Sequence, residues 1–289
     1  MAGENTISLR EGDQADAPWF TPGTPFWRVN REGVVGLAGM RALLMELAHP
    51  LIAAGVARHS DFQRRPLRRL YRTMIQMSRI TFGSRRSAAH ALQHIQRCHR
   101  RVRGTLDESS GACSAGRGYD AEDPDLKLWV LATLIDSSLA TYELFIAPLT
   151  AEEKESYYKD GCKLGRLLGI PTTLMPGSFS DFSLYTKSML DGNTLLVESD
   201  ARRIADSLLG SSLLGGVVRH ASFVSIGLLP QHLREAYGLT WDERRERRLL
   251  RLASLWRNSR PYLPEVVCVN PHAWLSSEHP ATRDRQPGA

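Results

Sequence analysis

The stretch Asp125–Pro148 constrains the fold most. It is nearly all apolar, so a helix built from it has no face suited to water and must be wrapped by other elements. Asp136 and Glu143 interrupt it, and at helical spacing they share a face with Trp129, Thr133 and Ala140. No uninterrupted apolar run in the chain approaches the roughly 18 to 20 residues that cross a bilayer. The segment therefore reads as the central helix of a water-soluble core. No run of alternating strands, β-hairpin signal, internal repeat or Gly-rich phosphate loop appears elsewhere. The chain reads as all-α, a single multi-helix domain over residues 23–275. A flexible lead-in precedes it at 1–22, and a disordered tail follows at 276–289.

Local signals divide that domain. Gly33–His59 reads as helical, with Pro50 ending or kinking it after His49. Its second half is rich in Ala and Gly, which lets another backbone or a flat ligand approach closely. Pro66 suits the first turn of a new helix that Gly83 closes. Ser84–Gly104 reads as the next helix, and Gly104–Gly118 as a polar loop. Thr150-Ala-Glu-Glu153 is a capping-box pattern. Thr240-Trp-Asp-Glu243 has the same form and opens an Arg-rich helix that stops before Pro261.

The candidate chemistry lies in the helices at Pro66 and Ser84. Arg69, Arg72 and Thr73 follow helical spacing on one face of the first, which is either a solvated basic face or a polar cluster over a reaction centre. In the second, Ala88, Leu92, Ile95, His99 and Val102 share a stripe, so His99 stands where the pattern calls for an apolar residue. Such a histidine is either a satisfied core residue or a ligand. A haem pocket requires this arrangement, with one neutral imidazole among aliphatics that pack on the porphyrin. His90 and His94 fall on the opposite side and read as surface. His49 and His59 can each serve as ligand, helix-end cap or core residue.

The formal charge of +6 and pI of about 9.3 come almost entirely from arginine and call for acidic partners to be weighed: nucleic acid, anionic lipid or a carboxylate-bearing ligand. Cysteines at 98, 113, 162 and 268 form no CxxC pair, so neither a zinc ribbon nor a disulfide framework is indicated. The polar N-terminus lacks the pattern of a signal peptide. The expectation is a cytoplasmic protein, with peripheral membrane contact left open.

Several segments in order resemble the rubber oxygenase (latex clearing protein)/MpaB family, long known as a bacterial domain of unknown function. They include Leu44-Met-Glu-Leu-Ala-His-Pro50, Pro66-Leu-Arg-Arg-Leu-Tyr-Arg-Thr73, Ile80-Thr-Phe-Gly83, His99-Arg-Arg-Val-Arg-Gly104, Trp129-Val-Leu-Ala-Thr133 and Arg260-Pro-Tyr-Leu-Pro264. The resemblance implies a globin-related helical core around a buried haem b. It puts the proximal iron ligand at His99; the helical spacing adds Ile95 and Val102 as aliphatics against the porphyrin, and Arg69 and His59 stand as further cofactor-binding candidates. The catalytic group would be Arg69, Arg72 and Thr73, on the side where O2 binds. The family's motif there is Arg-x-x-Lys-Thr, and this chain has Arg72 in place of the lysine. A guanidinium hardly ligates iron, so lysine ligation does not carry over. The implied activity is a haem-dependent oxygenase acting on a hydrophobic, isoprenoid- or lipid-like molecule. The alternatives are a non-catalytic haem or lipid carrier, and a basic helical nucleic-acid binder, though the first reading needs no nucleic acid.

Overall fold

A computed structural model describes residues 16–59, 66–110, 113–210 and 215–278. The elements in order are α1 (Pro25–Arg31), α2 (Ala38–Leu47), α3 (Pro50–His59), α4 (Pro66–Phe82), α5 (Arg85–His99), β1 (Arg103–Thr105), β2 (Gly118–Asp120), α6 (Pro124–Phe145) and α7 (Ala151–Leu167). They continue with α8 (Phe179–Asp191), α9 (Ser199–Leu209), α10 (Gly215–Leu228), α11 (Gln231–Ala236), α12 (Glu243–Ser259), α13 (Glu265–Cys268) and α14 (Pro271–Glu278). The protein is mostly helical, as expected.

Helix α6 is the axis. Asp123 caps it, Pro124 opens its first turn, and Trp129, Leu131, Ala132, Ile135 and Leu139 are buried. It is long and apolar enough to cross a membrane, yet most of that length is enclosed by protein. Helix α2 packs along it. Trp129 is fully buried and donates its indole N–H to the Met45 carbonyl at 3.3 Å. Truncating such a residue to alanine costs about 3–5 kcal/mol. Buried Arg41 ties three helices together. Its guanidinium meets Asp136 and Ser137 of α6, each at 2.7 Å, and donates to the Leu228 carbonyl of α10 at 2.7 Å.

The proline and glycine signals act as expected. The chain turns by 108° between the stretch ending at Leu47 and α3, and Pro50 is the first residue after the break. Gly83 joins α4 to α5, where a Cβ would stand 2.5 Å from the Arg79 carbonyl oxygen, so only glycine fits the turn. Ser84 caps α5, and Thr150 with Glu153 forms the capping box of α7.

Other readings need correction. Helix α5 ends at His99, not Gly104, and Gly104–Gly118 is not wholly loop. Arg103, Gly104 and Thr105 pair antiparallel with Asp120, Tyr119 and Gly118. Only Tyr119 of these six is buried, so no alternating pattern announces the ribbon. The cap of α12 is Asp242, whose carboxylate accepts from the Arg245 N–H at 2.8 Å; Thr240 instead accepts from the Arg245 side chain. Residues 1–15 and 279–289 lie outside the described residues. Within the expected lead-in, Phe20 is fully buried and stacks on Phe26. Within the expected tail, α14 continues to Glu278, and Ser276 donates to the Phe82 carbonyl.

Candidate functional site

Helices α4 and α5 form an antiparallel hairpin, and residues of α2, α3 and α6 line the far side of the space it faces. Between them lies a cavity of about 1360 Å³. Typical small-molecule pockets span about 300–1,000 Å³, so this one is large. Much of its wall is apolar: Leu43 of α2, Leu51 and Val56 of α3, Leu70 and Met77 of α4, Leu92 of α5, and Val130 and Leu134 of α6. The close approach foreseen at the Ala/Gly-rich half of α3 is made by side chains. A Cβ on Gly55 would meet Val102 at 3.2 Å and Tyr119 at 3.6 Å.

All seven residues singled out from the sequence, Arg69, Arg72, Thr73, His99, His59, Ile95 and Val102, line this cavity. The hairpin geometry is the reason. Antiparallel packing sets the start of α4, with Arg69, beside the end of α5, with Cys98 and His99, and the Arg69 charge acts on His99. Ile95 and Val102 are half-buried, whereas Arg72 and Thr73 are exposed. His59 is exposed at the end of α3, and its Nε2 lies 3.1 Å from the Tyr119 hydroxyl.

His99 is half-buried, and its Nδ1 stands 3.7 Å from Glu122 Oε1. Glu122 in turn holds Lys127 through Oε2 at 2.7 Å, while Oε1 is buried and makes no hydrogen bond. Burial pushes His99 below the ordinary histidine value. Glu122 opposes that shift, and Lys127 and Arg69 reinforce it. A neutral imidazole is the form that ligates a metal.

Glu46 of α2 was missed at the sequence level. It lines the cavity, and burial raises its carboxyl from 4.5 to about 7, against the lowering effects of the Thr133 hydroxyl and the Arg69 charge. Thr133 Oγ1 lies 3.3 Å from Glu46 Oε1 and 2.8 Å from the Val130 carbonyl. The hydroxyl's one proton is shared between these two acceptors, and the longer contact to Glu46 is the weaker. An acid inside the apolar run Ala42–Ala48 was the available signal.

Two further placements are corrected. His94 lines the cavity instead of the outer surface, with Nε2 at 3.8 Å from Cys98 Sγ; His90 is exposed. His49 is buried, and burial pushes it down to about 4, so it is a neutral core residue and not a charged helix cap. Among the described residues no group of three or more His, Cys, Asp or Glu side chains could hold a metal ion.

A helical fold around a large, mainly apolar cavity, with an imidazole, arginines and a half-buried acid in its wall, sets titratable groups beside space for a small molecule. Residues 27–258 match the family described as ER-bound oxygenase mpaB/B'/Rubber oxygenase, catalytic domain, and the chain belongs to that family. It is 26% identical over 242 residues to the uncharacterized protein Rv2237 of Mycobacterium tuberculosis, a match covering 81% of this chain and 89% of that one. The uncharacterized protein Mb2261 of Mycobacterium bovis is similar to the same extent. No solved structure matches the chain at a significant level.

Proposed function

We propose that this protein is a haem b-dependent oxygenase acting on a hydrophobic, isoprenoid- or lipid-like molecule. The observation that carries the proposal is the convergence of His99, Arg69, Arg72, Thr73 and Glu46 on one large apolar cavity. The residues fit the cofactor. A haem iron needs one protein imidazole, and Glu122 Oε1, buried without a hydrogen bond, faces the ring nitrogen of His99 that would not bind it. His99 would hold the iron, and Ile95 and Val102 would pack on the porphyrin. Arg69 or Arg72 would pair with a propionate.

Bound there, haem supplies the centre at which O2 is activated. The apolar walls hold the substrate and exclude water. Arg72 and Thr73 donate hydrogen bonds toward developing negative charge. Glu46, titrating near neutrality, takes up or returns a proton at Oε1, and the Arg69 charge keeps it ionisable. That half-buried, poised acid favours turnover over storage of a ligand. The test is oxygen uptake by the haem-loaded protein on addition of a long-chain alkene such as squalene. Uptake that follows the alkene and is lost in Glu46→Gln supports the proposal; haem binding without uptake indicates a carrier.

A further inference from the structure

We infer that Glu122, held by Lys127, is a positioning residue that accepts the Nδ1–H of His99 and makes its imidazole a strong electron donor at the opposite nitrogen. This rests on the haem reading above and goes beyond it. It assigns a role to two residues outside the cavity's reactive face, and it says which kind of haem protein this is.

The geometry comes from the ribbon. His99 ends α5, the chain passes through β1 and β2, and it returns at Asp120–Glu122 directly beside the histidine. The turn there is fixed, because Asp120 Oδ1 accepts the Glu122 N–H at 2.8 Å and the Asp123 N–H donates to the Asp120 carbonyl at 3.0 Å. Lys127, one turn into α6, grips Glu122 Oε2 at 2.7 Å with a side chain only 13% exposed. That grip leaves Oε1 for His99. Oε1 is buried without a hydrogen bond, and such an acceptor is costly unless a donor reaches it. His99 Nδ1, at 3.7 Å, faces it. About 0.7 Å of ring movement brings the pair to hydrogen-bond length.

A carboxylate behind a ligating imidazole fixes the tautomer and raises the basicity of the other nitrogen. Electron density pushed toward haem iron favours activating O2 over storing it. The Lys127–Glu122–His99 chain therefore points to oxygen activation, consistent with the poised acid on the cavity's other wall. A simple surface ion pair would stabilise the fold without altering the electronic character of His99.

The test uses the full chain loaded with haemin, comparing wild type with Glu122→Gln and Lys127→Met. Three readouts are taken: the iron–histidine stretching frequency of the ferrous protein by resonance Raman, the midpoint potential, and the haemin dissociation constant. In Glu122→Gln the frequency falls, the potential rises, and haemin binds roughly 10–100-fold more weakly. Lys127→Met shifts all three in the same direction by less. If wild type binds haemin through His99 and both variants keep its frequency and potential, the inference falls while the haem reading stands. If wild type binds no haemin at all, the haem reading fails and takes the inference with it. Should Glu122→Gln fail to fold, the frequency and potential of Lys127→Met decide alone.

Discussion

Replacing Glu46 by glutamine tests the cavity's electrostatics without reference to any cofactor. The carboxyl is held near 7 in the folded protein against 4.5 when solvated, mainly because burial disfavours its charge. The folded state binds this proton more tightly than the unfolded chain. Wild-type stability therefore falls as pH rises from about 4.5 through about 7, and the whole penalty is present above that. The gap of about 2.5 pH units, at about 1.36 kcal/mol per unit, sets the penalty at no more than about 3 kcal/mol. Glutamine keeps the shape and cannot ionise. Glu46→Gln should match wild type at pH 4.5 and exceed it by up to about 3 kcal/mol at pH 8.5, or about 5 °C in Tm for a chain of this size. Thermal unfolding by circular dichroism at the two pH values measures the difference. An equal offset at both would mean that Glu46 is solvated and has an ordinary carboxyl, and the account of a poised acid would be wrong.

Other outcomes follow from the same contacts. Arg69→Gln removes the charge that favours ionised Glu46, so the pH at which Glu46 titrates should rise; the stability-versus-pH profile reads this directly. Arg41→Ala leaves Asp136, Ser137 and the Leu228 carbonyl without their donor and should cost about 3 kcal/mol in urea unfolding, the lower end of the range for broken buried pairs because Asp136 is partly solvated.

The helical frame was legible wherever its signals are local. Pro50, Pro66, Gly83 and the Thr150–Glu153 box mark boundaries through a missing N–H, a close carbonyl or a cap, and each acts within a few residues. The stripe of α5 likewise placed His99, because helical spacing alone puts it with Leu92 and Ile95. What the sequence hid depends on distant partners. Glu46 titrates near 7 only because α4 and α6 close over it, and Glu122 meets His99 only because the ribbon folds back. His94 looked like surface on the helical wheel. Yet the cavity wraps past the apolar stripe of α5, whose main helical neighbour is α4. Thr240 misled as a cap because Asp242, two residues on, offers a carboxylate at the better position.

The central claim is that His99 holds haem iron in this cavity, and the absorption spectrum of the purified protein tests it most directly. The account predicts a Soret band in the wild type, present as purified or after addition of haemin, and its loss in His99→Ala with helical content unchanged. A wild type that stays colourless and takes up no haemin, or a band unaltered in His99→Ala, would contradict it.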